Sequence, residues 1–343
     1  MKNTGITAAF IVLITAVIFL GIRLYLAERQ VSGEDIFSAE AGGFLFDESP
    51  SGPYMYARNL NFRFTDKIVI SIPELWGRMV SQSSSLVINM DDVNSFKITI
   101  LGGRVIFDER MMLVLFRDYV FNYDGSPLRL SGVRITGSDP AKGEVSIMIT
   151  GAIKLFTWLD FKTLASVYAD NKTGRIIIET KKIKIMWGPW AKTRERSAGL
   201  TVEKMLPVPA GRGVTVKGNK IFLMPFEILP SPKFEGTLQE VSLCQGGMLL
   251  RFSGEGFELP QSGIPRPKEK NYRYLFNGRI RFGKLTMADA SMQIADADPA
   301  DIFDFSLKDY HRALSGGGIA LIRKDRSVLV VMPDYNDVVK TRR

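Results

Sequence analysis

Between Gly143 and Leu155 the chain alternates with a period of two. Val145, Ile147, Ile149, Ile153 and Leu155 share one parity with Gly151, while Glu144, Ser146, Thr150 and Lys154 hold the other. Five large apolar residues in phase predict a strand with one buried face and one wetted face. Two further extended segments slip phase. Ile176 and Ile178 give way to Ile183, Ile185 and Trp187 on the opposite parity, and Leu128 and Leu130 give way to Val133 and Ile135 across Ser131-Gly132. A slip inside one extended segment predicts a bulge, and repeated slips predict long strands in a curved sheet.

Other strand patterns fill most of the chain. Phe96, Ile98 and Ile100 alternate with Lys97 and Thr99, and Gly102-Gly103 followed by Val105 and Phe107 reads as a hairpin. Hairpins are also predicted around Gly218-Asn219 and Gly246-Gly247, each flanked by short apolar runs. Helices are few. Phe161, Leu164, Ala165 and Tyr168 fall on one stripe and predict a helix over 160–168. A short one over 201–206 stops at Pro207. A third is predicted from Asp298 to about Leu314, with Asp298 and Asp301 as capping residues and Gly316-Gly317-Gly318 ending it.

At the start of the chain, Gly5 to Ile22 carry no charge. Eighteen helical residues reach about 27 Å, close to the roughly 30 Å hydrocarbon core of a bilayer, and Arg23 and Tyr25 suit the interface beyond it. The length of the run and the poor cleavage context after it favour a retained anchor over a removed signal peptide. Lys2 lies on one side and Arg23 and Arg29 on the other, so flanking charge gives no orientation; export of the C-terminal part is the default. The expected organisation is a transmembrane signal-anchor at 1–27, a juxtamembrane spacer at 28–64 and a curved β-sheet domain at 65–252. A Gly/Pro-rich linker at 253–271, a C-terminal α+β unit at 272–335 and a basic tail at 336–343 follow. The fold class is α+β and β-rich: a long curved antiparallel sheet with one or two packed helices, a small C-terminal β-α-β unit and a single N-terminal transmembrane helix.

Composition narrows the chemistry. Cys244 is the only cysteine and His311 the only histidine, so a disulfide framework and sites needing several such side chains are excluded. His311 lies in the predicted third helix with no nucleophile, base and orienter motif around it, and no phosphate-binding or dinucleotide glycine loop is present. The string Asp296-Ala-Asp298-Pro-Ala-Asp301 fails as a calcium loop, since Asp301 stands where glycine is needed and Leu307 where the bidentate acid belongs. No catalytic residue, metal ligand or cofactor is assigned. Formal charge is +9; Lys2 and Arg23 account for two, leaving +7 beyond the apolar run. That excess is spread along the chain, which suits phospholipid headgroups better than a nucleic-acid footprint.

The stretch from about Lys97 to Phe252, with its long bent strands, Gly218-Asn-Lys-Ile-Phe-Leu223 and Glu235-Gly-Thr-Leu-Gln-Glu-Val-Ser-Leu243, resembles the tubular lipid-binding and AsmA-type families of envelope proteins. Phe276-Asn-Gly-Arg-Ile-Arg-Phe-Gly-Lys-Leu-Thr-Met287 is similar to the repeated short-strand units of the latter. The resemblance implies a curved sheet holding acyl chains against an apolar interior, and no binding residue transfers from it. The expected function is therefore non-enzymatic handling of lipid or another amphiphile by a single-pass protein of a bacterial inner membrane, with its C-terminal part periplasmic. The alternative is a structural subunit tethering an envelope protein complex; an enzyme using two carboxylates alone ranks third. The expected groove lining is Val145, Ile147, Ile149, Ile153, Leu164, Ile183 and Ile185, and the expected headgroup contacts are Lys181, Lys182, Lys184, Arg194 and Arg196. The expected partners are membrane lipids, with other envelope proteins on the alternative reading and no nucleic acid.

Overall fold

The computed structural model describes residues 53–186, 201–253 and 269–340, all within one compact unit made of Ser49–Leu259 and Glu269–Arg343. The predicted anchor, Trp187, Trp190, Arg194, Arg196 and most of the predicted linker lie outside the described residues. Among the described residues no helix is long and apolar enough to cross a membrane.

In chain order the strands begin with β1 (Tyr54–Arg63), β2 (Val69–Ser81), β3 (Val87–Asn89) and β4 (Phe96–Phe107). Helix α1 (Glu109–Val114) follows and runs on as a π-helical turn over Leu115–Val120. Next come β5 (Leu128–Asp139), β6 (Glu144–Lys154), β7 (Trp158–Asp170) and β8 (Arg175–Met186), then the one-turn α2 (Val202–Met205). The short strands β9 (Val214–Lys217), β10 (Lys220–Leu223) and β11 (Lys233–Glu235) precede β12 (Thr237–Cys244) and β13 (Gly247–Ser253). The last part holds β14 (Tyr272–Phe276), β15 (Arg279–Phe282), β16 (Leu285–Met287), β17 (Ser291–Asp296) and β18 (Phe303–Ser306). It ends with α3 (Tyr310–Ser315), β19 (Ile319–Ile322), β20 (Val328–Met332) and α4 (Tyr335–Lys340).

These strands form three sheets. The largest has eleven strands, ordered β12-β13-β4-β2-β1-β14-β17-β20-β19, with β11 also on β4 and β18 also on β1. A six-stranded antiparallel sheet runs β5-β6-β7-β8-β10-β9, and β16-β15-β3 make a small third sheet. The pairings β1–β18, β4–β11, β3–β15 and β17–β20 are parallel, so the expectation of one antiparallel sheet is corrected to several sheets with mixed pairing. Segments 65–252 and 272–335, separated on sequence by a linker, share the large sheet, with β1 between β2 and β14.

The predicted slips are bulges. Register jumps between Leu130 and Gly132 on β5, leaving Leu130 and Val133 both buried, and β8 skips Lys181 opposite Leu164/Ala165, so that Ile178 and Ile185 both reach the buried side. Gly151 makes the first bulge possible: a Cβ there would lie 2.3 Å from the Arg129 carbonyl oxygen. The strand predicted over 143–155 is β6, and Val145, Ile147, Ile149 and Ile153 are buried on its one face as read, with Leu155 just past its end.

Four expectations are corrected. The 160–168 segment is the middle of β7, not a helix. Leu159, Phe161, Thr163, Ala165 and Val167 are buried with an unbroken period of two. Leu164 and Tyr168 are apolar on the outward side and Thr163 is polar on the buried side, which made the apolar residues mimic a helical stripe. Gly102-Gly103 is not a turn but lies inside the continuous β4. Trp76 of β2 lies flat over Gly102, where a Cβ would meet the indole 2.2 Å away, and Gly103 takes φ +136 against Glu74. Residues 54–63, assigned to a spacer, are β1, whose alternation is interrupted at Asn59 with φ 48. The helix expected from Asp298 is instead a turn, strand β18 and then the shorter α3. Asp296 and Asp298 accept backbone N–H groups of Asp298 and Ala300, each at 2.9 Å, so these acids cap a turn rather than a helix. Sequence reading also missed α1, which Asp108 caps by accepting from the Met111 N–H.

Candidate functional site

The predicted groove residues divide between two faces of one sheet. Val145, Ile147, Ile149, Ile153 and Ile185 are buried in the hydrophobic core, and Ile183 is partly buried against it. They are brought together by register, with Ile147 opposite Ala165, Ile149 opposite Thr163, and Thr163 opposite Ile183. Leu164 points the other way and is 45 % exposed. These apolar side chains fill the space between the six-stranded sheet and the strands packed on it, including Leu238 and Val241 of β12. A separate cleft of about 490 Å³ opens beside α2 and β9, lined by Leu206, Pro207, Val208, Val214, Val216 and Met224 with Arg175, Glu203 and Glu227. Its size suits a small ligand, and no predicted groove residue lines it.

The outer face of the six-stranded sheet is the opposite in character. Because β6 and β7 alternate, every residue between the buried ones faces outward. In register, Arg134, Met148 and Leu164 form one row, with Lys182 at the next position. Gly132, Thr150, Lys162 and Lys184 form the second, Arg129, Ala152, Asp160 and Met186 the third, and Lys154 and Trp158 the last. Arg129, Arg134, Lys154 and Lys162 are exposed, Lys184 is half-buried, and Asp160 is the one acid in these rows. The face thus carries a cationic excess among apolar Met148, Leu164, Met186 and Trp158.

Two features fix the end of that face. Arg129 places its guanidinium carbon 4.0 Å from the centre of the Trp158 ring, a cation–π contact that holds both side chains at the sheet rim. Beyond them the three-residue turn Leu155–Thr157 joins β6 to β7. Phe156 at its centre is 99 % exposed, while the Lys154 N–H ties the base of the turn to the Pro127 carbonyl at 2.8 Å. Of the predicted headgroup contacts, Lys181 sits on the bulge and pairs with Glu144 at 3.2 Å, Lys184 lies opposite Lys162, and Arg194 and Arg196 lie outside the described residues. Sequence reading missed Arg129, Arg134, Lys154, Lys162 and Phe156 as a group. They are scattered over three strands, and only the register assembles them.

Among the described residues two acidic clusters bring titratable groups together. Asp91 accepts from Tyr310 and from Gly283 N–H at 3.3 Å, and lies 2.9 Å from His311 Nε2. Burial alone would raise this carboxyl, but the hydrogen bonds from Tyr310 and His311 hold it below its ordinary value. The nearby Ser315 hydroxyl donates to the His311 carbonyl rather than to its ring, so the contacts tie α3 to the 89–92 turn and assemble no nucleophile. Asp296, Asp301 and Asp334 each bring an oxygen to within 4.8 Å of the others. Burial raises Asp296 to about 6 and Asp334 to about 7, and the Asp304 N–H donates to Asp334 at 2.6 Å. Three carboxylates so placed could ligate a cation through oxygen; the raised proton affinity of Asp296 and Asp334 equally lets those two share hydrogen. Comparison with protein-family models, with curated proteins and with solved structures finds no match to this chain.

Proposed function

We propose that this is a non-enzymatic, bilayer-associated protein that contacts anionic lipid through the outer face of its six-stranded sheet. The observation that carries the reading is the row pattern at the Trp158 end of that face: Arg129, Arg134, Lys154 and Lys162 are exposed with Asp160 as the one acid in their rows and apolar side chains between them. Glu144 and Glu179, farther along the sheet, are paired with Lys181 and Lys220. A cation near an anionic leaflet contributes about 1 kcal/mol, and several acting together give binding that weakens with salt. The apolar run from Gly5 to Ile22 supports the same reading by offering a membrane anchor in a bacterial inner membrane. The amphiphile-handling role drawn from the resemblance to envelope lipid-binding families then belongs to this face rather than to an interior groove.

The test is native mass spectrometry of the full chain extracted in mild detergent from cells rich in phosphatidylglycerol. The wild type is expected to retain anionic lipid, and a Lys154→Glu, Lys162→Glu double variant to lose most of it. Equal retention by both, or an empty wild type, overturns the reading.

One observation favours a second reading, a subunit that docks other envelope proteins. Among the described residues strand β19 is an edge of the large sheet, and its Ile319, Leu321 and Ile322 are all exposed. Uncharged apolar edges of this kind accept an added strand. Crosslinking from position 321 distinguishes the two, since a docking subunit gives a stoichiometric protein adduct there.

A further inference from the structure

Phe156 extends the reading above, on which this inference rests. An isolated apolar side chain on a surface needs no explanation. Phe156 is not isolated: it caps a hairpin whose next outward residues are Lys154 and Trp158, with Arg129 stacked on the indole. At 99 % exposure its ring gains nothing from the fold. Thr157 beside it is exposed as well, and Leu155 alone turns back to the core.

The order of chemistries along the hairpin follows the layers of a membrane surface. Outermost is an uncharged aromatic ring, then, side by side in one row, an indole held by a guanidinium and Lys154, and further back Lys162 with Lys184 opposite it. Indole rings and long basic side chains settle at the headgroup level, while phenyl rings go deeper. Phe156 lies two residues beyond Trp158. At about 3.4 Å per extended residue its ring stands up to about 7 Å further out. That matches the roughly 5–10 Å depth at which interfacial elements bury their apolar side chains. The charge of the rim selects the leaflet, because Arg129, Lys154 and Lys162 face the headgroups with only Asp160 against them.

We infer that the β6–β7 turn is a membrane-inserting tip: Phe156 enters the acyl layer of an anionic phospholipid bilayer, with Trp158 and Arg129 stopping at its phosphates. The partner is the bilayer surface itself, recognised by its negative charge and its hydrocarbon.

The test uses the full chain with Cys244→Ser as background, a change that keeps a donor for the Gly247 carbonyl. Phe156→Cys is labelled with an environment-sensitive nitrobenzoxadiazole dye, and a Lys142→Cys control places the same dye in the exposed β5–β6 turn at the other end of the sheet. Both are reconstituted into vesicles of phosphatidylcholine alone, or of three parts phosphatidylcholine to one part phosphatidylglycerol. The expected result is a blue-shifted emission at position 156 in the anionic vesicles, quenched by lipid carrying a nitroxide on its acyl chain, with position 142 reporting water. A water-like spectrum at 156 in both vesicle types overturns the insertion, as does an equal shift at 142. If the tip stays in water while Lys154→Glu, Lys162→Glu still abolishes lipid retention, the headgroup contact stands and the insertion alone is lost.

Discussion

Strands β6 and β14 are neighbours in kind and opposites in environment. Along β6 buried and half-exposed residues alternate to the end, whereas four consecutive residues of β14, Tyr272 to Leu275, are all buried. The same holds beyond it: β18 is buried throughout and β17 in all but its first residue. One region therefore has a single inside and a wetted outside. The other has interior on both faces, and there the chain must place polar groups where water cannot reach them. Arg273, Gln293, Asp296, Asp304 and Ser306 are all buried in this second region, while few polar side chains of β6 and β7 are. A one-sided sheet hides its grease and displays its charge; a two-sided one must neutralise charge internally.

The largest expected effect tests that internal neutralisation. Arg63 reaches Asp304 through Nε at 3.1 Å and Nη2 at 2.6 Å, a bidentate pair that is almost wholly buried. Asp304→Ala leaves the guanidinium without its anion and is expected to cost about 3–5 kcal/mol in a denaturant melt. A loss under 1 kcal/mol would mean that water reaches this region after all. Next is Ile147→Ala on the buried side of β6, expected to cost about 2–5 kcal/mol through a cavity in the same melt.

The third change has the opposite sign. Arg273 is fully buried, its Nε and Nη1 have no hydrogen-bond partner, and its Nη2 finds only the sulfur atoms of Met55 and Met79 at 3.8 and 4.0 Å. Burial pushes this guanidinium down to about 10. Phe305 lies under it at 5.7 Å, a weak substitute for a carboxylate. Arg273→Met is expected to stabilise the protein by about 1–4 kcal/mol, read as a higher melting midpoint; destabilisation would show that the cation is held by more than its ring.

Smaller still is a pH effect. Burial raises Asp334 and Asp296, so between the ordinary 3.8 and about 7 the folded protein keeps protons that the unfolded chain has released. Their contribution to stability is therefore greatest at the acid end of that window and falls as pH rises towards 7. Asp334→Asn is expected to flatten the fall between pH 4.5 and 7 relative to wild type, measured by melting midpoint. The smallest effect belongs to the one-sided sheet: Leu164→Ser, on its wetted face, is expected to move stability by less than about 0.5 kcal/mol. A larger loss would give that face a structural cover.

The same contrast explains what could be read in advance. The β6 pattern, the bulges of β5 and β8 and the hairpins at 218 and 246 were legible because a single buried face imposes period two. Segment 160–168 was misread because Leu164 and Tyr168 are apolar on the outward side of β7 while Thr163 is polar on the buried side, which makes period two resemble period 3.6. Strands β14, β17 and β18 lack alternation by necessity, and Phe303–Ser306 was absorbed into a helix. Of the candidate site, the basic cluster 181–184 was visible as a run. Arg129, Lys154 and Lys162 were not, since cross-strand register is a tertiary fact that no local pattern carries.

The seating of β1 between β2 and β14 governs when the protein can finish folding. Tyr54 pairs with Phe276, and Arg63 with Ser306. At roughly 5–20 residues per second, translation delivers those partners about 10–50 s after β1 itself has been made. During that wait one flank of β1 is an open row of amides and carbonyls beside Leu60 and Phe62, an invitation to wrong pairing. Maturation of this protein is thus set by its last-made strands, and truncation before residue 306 is expected to leave an aggregating fragment rather than a smaller native one.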